Sequence, residues 1–257
     1  MILIYHKVIY NIYDICHSFW GRYIIMEIIH NDELRLMYID RYKINDIFSV
    51  SMNKYMRLVK FSKGEFIYRE KEKLNKIYFF VKGKLKVYRT LENGKVLLIS
   101  FYYPLMVLGD IELVNYEVAD ANIQVINESY CIEMSFDDVR EMLLKDALFL
   151  RYMCDSLGRK LKQTSKNSSI NILYPLENRL ASYILDMLIE NKDSLIFYGN
   201  LTETAELLGT SYRHLLRTLK VLCEKNILKK NQNYYEIIDR DKLKEISSDM
   251  YKEYWSN

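Results

Sequence analysis

Prolines are scarce in this chain, two in 257 residues, and histidines and cysteines number only four each. Each scarcity excludes something. Cys16, Cys131, Cys154 and Cys223 are widely scattered and form no CxxC pair, which rules out a secreted disulfide framework and leaves reduced core thiols in a cytoplasmic protein. His6, His17, His30 and His214 all fall outside the strand-rich stretch 31–133, so a jelly-roll metal enzyme, which needs clustered ligands on neighbouring strands, is excluded. No nucleophile or acid–base constellation appears either, and the sequence predicts no enzyme. A clean apolar run is also missing. The opening MILIYHKVIYNIYDICHSFWGRYII is broken by His6, Lys7, Asp14, His17 and Arg22 and has no cleavage site, so it is neither a signal peptide nor a membrane span. Met26 is the expected natural start, with residues 1–25 an upstream extension. Net charge is only +3, so any basic surface must be local.

The local surface lies between Asn200 and Lys230, NLTETAELLGTSYRHLLRTLKVLCEKNILKK. Asn200 is placed to cap a short helix, Glu203 to reach back to the cap's own N–H, and Gly209 to end it. Ser211 offers a second cap. Beyond it Leu215, Leu219 and Leu222 repeat at i, i+4 and i+7, while Arg213, Arg217 and Lys220 repeat at the same spacing on the opposite side. One face packs and the other is free for phosphates and base edges, the division of labour a helix-turn-helix requires. Lys229 to Asn233 then leads into the alternating run Tyr234 to Ile238, a small hairpin. A recognition helix followed by a basic hairpin is a winged helix, whose wing adds sequence-blind phosphate contacts.

Upstream, residues 31–134 carry many short strands with glycine turns. Asp32 to Tyr42 is a short helix. Strands follow around Phe61 to Ile67, Lys76 to Val81 and Lys84 to Tyr88; Glu92-Asn93-Gly94-Lys95 is a hairpin turn, and Val96 to Tyr102 and Ala121 to Met134 return as strands. Such a pattern predicts a double-sheet β-roll or jelly roll enclosing a pocket. Ser135 caps a helix over Phe136 to Lys145, and a longer helix is expected from Ala147 to Thr164 with Leu150, Met153, Leu157 and Leu161 on one stripe. The polar run Lys162 to Ser169 is the expected hinge, and Leu176 to Asn191 the next helix.

Gly209-Thr210-Ser211-Tyr212-Arg213-His214-Leu215-Leu216-Arg217 resembles the Crp/Fnr regulators, and most closely their YeiL-like branch. The resemblance extends over nearly everything after Asn31. It implies an α+β chain with a cyclic-nucleotide-binding-like β-roll (31–134), a connector and dimerisation helix (135–169) and a winged helix-turn-helix (170–257). It implies DNA contacts from Ser211, Tyr212, Arg213 and Arg217, to which the basic face adds Lys220. It also implies a homodimer paired through Leu150, Met153, Leu157 and Leu161, a near-palindromic site on double-stranded DNA, and a contact with RNA polymerase. In the roll the likeness rests on Lys63-Gly64-Glu65, Gly83 and Leu108-Gly109-Asp110.

Departures matter more there. Nucleotide-binding members place a glutamate on the ribose and an arginine on the cyclic phosphate; here Asp110 stands at the first position, and the second falls on or beside Ala119, between Glu117 and Asp120. A buried phosphate without a cation is poorly compensated, so Gly109, Asp110 and Ala119 mark a degenerate site that does not take cyclic AMP. Cys16 and Cys131 are too few for the iron–sulfur cluster of some members, and the roll has no histidine for haem, so no cofactor is expected. The competing reading is a sensory or scaffold protein that binds a ligand or partner through the roll and never touches DNA.

Overall fold

The computed structural model describes residues 26–247 apart from 93, 95, 116, 117, 192 and 193. The expectations for residues 1–25, for Asn93 and Lys95 of the hairpin turn, and for Glu117 lie outside the described residues.

The roll is one antiparallel hydrogen-bonded network. Strands β1 (Glu27–Ile28), β2 (Arg57–Phe61), β7 (Asn122–Ser135), β4 (Lys76–Thr90) and β5 (Val96–Tyr102) follow one another in space, with β3 (Phe66–Tyr68) on β7 and β6 (Met106–Leu108) on β4. The two predicted strands Lys76–Val81 and Lys84–Tyr88 are a single strand, β4. Its register against β7 shifts between Phe80 and Leu85, on both sides of Gly83, so one long strand bends without leaving its partner. Apolar residues on both sheet faces fill the interior, with Phe79, Phe80, Ile132 and Cys131 fully buried. Burial pushes the Cys131 thiol well above its ordinary pKa, so this sulfur packs rather than reacts.

Helices close the ends. In α1 (Asp32–Arg41) the Asn31 carboxamide accepts from the Leu34 N–H at 2.8 Å. Helix α2 (Asp110–Asn115) follows β6, and α3 (Phe136–Leu143) starts at Ser135, whose hydroxyl accepts from the Asp138 N–H at 3.1 Å. Helix α4 (Ala147–Leu173) is a 27-residue rod. The expected hinge at Lys162 to Ser169 is therefore corrected: those residues continue the helix. Polar residues without glycine or proline do not break an i to i−4 ladder, and the rod stops only before Pro175.

The C-terminal unit comprises α5 (Leu176–Asp186), β8 (Leu188–Asn191), β9 (Ser194–Phe197), α6 (Leu201–Leu207), α7 (Tyr212–Glu224), β10 (Leu228–Lys230), β11 (Tyr235–Ile237) and α8 (Arg240–Ser247). The helix expected to reach Asn191 ends at Asp186, because Leu188–Asn191 pairs with β9 instead. The predicted terminal hairpin is present as β10 and β11, and β9 extends it on the other side. One apolar cluster unites Leu180, Ile184, Leu215, Leu219 and Leu222 with Leu98 and Phe101 of β5, so the core of this unit continues onto the roll.

Candidate functional site

The helix-turn-helix is built from the turn outward. Asn200 Oδ1 accepts from the N–H groups of Thr202 and Glu203 at 3.0 and 3.4 Å and starts α6. Gly209 adopts φ +60°, the left-handed conformation a helix-ending residue needs, and the Thr210 N–H donates to the Ala205 carbonyl at 2.9 Å. Ser211 then caps α7 through the His214 N–H at 3.2 Å. Leu215, Leu219 and Leu222 are almost completely buried, and burying each stabilises α7 against its neighbours by roughly 2 kcal/mol. Those leucines fix which way the opposite face points.

That opposite face is exposed. Ser211, Tyr212, Arg213, Arg217 and Lys220 all reach solvent along the first turns of α7. Among the described residues Arg213 and Arg217 join no ion pair, whereas Lys220 lies 3.5 Å from Glu224 on the helix surface, a contact worth a few tenths of a kcal/mol. Lys225 pairs with Glu177 of α5 at 2.6 Å and so belongs to the scaffold. Lys229 and Lys230 extend the exposed basic surface onto the wing. One local expectation is corrected: Glu203 does not reach back to its own cap. Its carboxylate instead meets the Lys86 ammonium of the roll, 117 residues away in sequence.

A second candidate site is a cavity of about 550 Å³ between the roll and α4. Val87, Ile99, Leu108, Leu157 and Leu161 give it apolar walls, with Tyr68 and Tyr102 beside them. Gly109 and Asp110 line it as anticipated. Ala119 is buried in the roll core, and its neighbours Asp120 and Ala121 reach the cavity in its place. Gly109 has φ +85°, and a Cβ there would come within 2.6 Å of the Tyr68 hydroxyl and 2.9 Å of the Lys76 carbonyl oxygen. Its smallness is therefore required by how tightly the roll closes.

The charges of the cavity are mostly satisfied within the protein. Lys160 of α4 lies 2.6 Å from each oxygen of Asp110 and donates to the Val107 carbonyl at 2.6 Å. Arg89 meets Asp120 at 2.5 Å near the rim. Glu112 is acidic without a cationic partner among the described residues. Burial pushes its carboxyl above the ordinary value, with Asp110 adding to the rise and Lys160 opposing it. Sequence reasoning missed Arg89 and Lys160. A signal for Arg89 existed, since it shares the inward phase of β4 with Leu85 and Val87; Lys160 sits beside the Leu157 and Leu161 stripe.

That stripe also needs correction. Met153 is buried in the roll core with Phe149, so it does not face outward with Leu150 and Leu161. Leu150, Cys154 and Leu161 are exposed along α4, with Leu157 half-buried between them. No described helix is long and apolar enough to cross a membrane.

A ligand-type β-roll joined by a rod to a winged helix with an exposed basic recognition face defines a DNA-binding transcription regulator. Comparison with known proteins agrees. Residues 58–146 match the model of the cyclic nucleotide-binding domain and residues 178–246 that of the Crp-like helix-turn-helix domain. The chain is 32% identical over 205 residues to the regulatory protein YeiL of Escherichia coli O157:H7, covering 80% of this chain and 92% of that protein. It is 21% identical over 137 residues to a CRP-like cAMP-activated global transcriptional regulator of Mycobacterium tuberculosis, covering 53% and 61%. Among solved structures, a CRP-family regulator of Thermus thermophilus shares the fold with a TM-score of 0.61 at 15% identity over 74% of this chain and 96% of that one. The chain belongs to the Crp/Fnr family of transcription regulators.

Proposed function

We propose that this protein binds a near-palindromic operator as a homodimer and that its roll answers a signal other than a cyclic nucleotide. The carrying observation is the exposed face of α7, where Arg213 and Arg217 join no ion pair among the described residues and stand above a layer of buried leucines. Ser211 and Tyr212 begin the same face, and Lys220 with the wing lysines supplies phosphate contacts. Leu150, Leu157 and Leu161, with Cys154 among them, offer α4 as the pairing surface, and a two-fold axis there presents two recognition helices to successive major grooves. A contact with RNA polymerase and residence in the cytoplasm follow from the same reading.

Selection of bound duplexes from a random pool tests it. The expected product is a pair of inverted half-sites with centres about one helical turn, roughly 34 Å, apart. Recovery of a single unrepeated site, or no enrichment, overturns the reading.

The cavity is ill suited to a cyclic phosphate. Its best placed cation, Lys160, is already held by Asp110, Arg89 is held by Asp120, and Glu112 would repel an anion. Calorimetric titration with cyclic AMP is expected to give no heat of binding at concentrations up to the millimolar range, about −4 kcal/mol of affinity. A micromolar isotherm would restore the nucleotide as effector.

A further inference from the structure

Strands β4 and β5 form a ribbon with two differently employed faces. Alternation along a strand sends successive side chains to opposite sides. On one side Val87, Arg89, Ile99 and Tyr102 line the cavity. On the other, Lys84, Lys86, Leu98 and Phe101 are covered by the winged-helix unit of the same chain. Cross-strand pairing keeps the outward set together, with Lys86 opposite Phe101 and Tyr88 opposite Leu98.

The contact is bonded as well as apolar. Lys84 donates to the carbonyl of Asp186 at the end of α5 and lies 3.1 Å from its carboxylate, which also accepts from the Tyr103 hydroxyl. Lys86, 7% exposed, pairs with Glu203 in the first helix of the helix-turn-helix. Phe101 packs on Tyr183 with ring centroids 5.9 Å apart, and Tyr183 on Phe197 at 6.1 Å. Asp186 is 5% exposed, so two lysines and a carboxylate have left bulk water to make this seat. Desolvated ion pairs are weak sources of stability but strict in geometry. They suit a surface whose task is to hold one arrangement.

We infer that the β4–β5 ribbon sets the orientation of the recognition helix, and that Lys84 and Lys86 are positioning residues for operator binding. The DNA-facing side of α7 stays exposed while the unit is seated, so the seat holds the helix without covering Arg213 and Arg217. Orientation matters most when two helices must meet two half-sites together. A loosened seat costs affinity for the paired site and leaves a lone half-site nearly unaffected. This inference rests on the operator reading above and goes beyond it by naming what aims the reader.

The test is a charge exchange in the full-length protein. Lys86→Glu places two carboxylates together and is expected to weaken binding to the inverted-repeat operator about tenfold, with half-site binding changed less than about twofold; the double variant Lys86→Glu/Glu203→Lys restores paired-site binding. Lys86→Met repeats the measurement if Lys86→Glu fails to fold, because the half-exposed Glu203 can then be solvated. Unchanged or tighter paired-site binding by a variant that melts like the parent overturns the inference, as does an equal loss on both duplexes. Arg217→Ala is the control that separates the two claims. If it weakens operator binding while Lys86→Glu leaves it unchanged, the DNA-binding reading stands and the positioning role falls.

Discussion

Replacing Arg217 by alanine lowers affinity for the operator by about 1–3 kcal/mol, roughly 5- to 150-fold, and relaxes the base preference at one position of each half-site. The expectation comes from where the side chain sits. Arg217 is exposed on the second turn of α7, one turn after Arg213, and joins no ion pair among the described residues. Nothing in the fold depends on it, so the variant should melt with the parent protein. A lysine on the wing is expected to behave differently: if Lys229 meets phosphates rather than base edges, removing it weakens binding to all duplexes alike and flattens the salt dependence. Footprinting across a set of single-base operator variants reads both effects. If Arg217→Ala protects the same operator at the same concentration, the assignment of the reading face fails.

Replacing Lys160 by methionine costs about 3–5 kcal/mol of folding stability and lowers the melting midpoint by about 10 °C. Asp110 is 2% exposed at the start of α2, and Lys160 is the cation that contacts both of its oxygens. Without that ammonium a carboxylate is left buried beside Glu112, and the Val107 carbonyl loses a donor. Removing the acid as well, in Lys160→Met/Asp110→Leu, returns most of the loss, since two apolar side chains need no partners. Thermal denaturation of the three proteins decides it. A single variant within about 2 °C of the parent would mean that solvent reaches Asp110 and that the pair contributes little.

The recognition unit was largely legible in the residues. Asn200 and Ser211 announce helix starts by their side-chain oxygens, Gly209 announces the turn, and a four-and-three leucine repeat selects the buried face of α7 without knowledge of any partner. The roll was legible in kind, since alternation in Lys84 to Tyr88 and the returning strand Val96 to Tyr102 predict a ribbon. Long-range choices were not. Local capping rules sent Glu203 to the backbone N–H of Asn200, but a buried lysine 117 positions away in sequence offered a charge-assisted bond and won it. Helical spacing placed Met153 with Leu150 and Leu161, yet a stripe says only which residues share a side, and the roll claimed Met153 for its own core. Polarity in Lys162 to Ser169 suggested a joint. Helix continuation needs unbroken backbone donors rather than apolar side chains, and those residues supply them.

The uninterrupted α4 gives the molecule torsional stiffness. Between Lys160, which faces the cavity, and Leu173, where the rod ends, there is neither glycine nor proline to absorb a twist. At 1.5 Å per residue the whole helix is about 40 Å long. A few degrees of rolling imposed where Lys160 grips Asp110 would meet a continuous hydrogen-bonded ladder, which resists twist where a coil linker would absorb it.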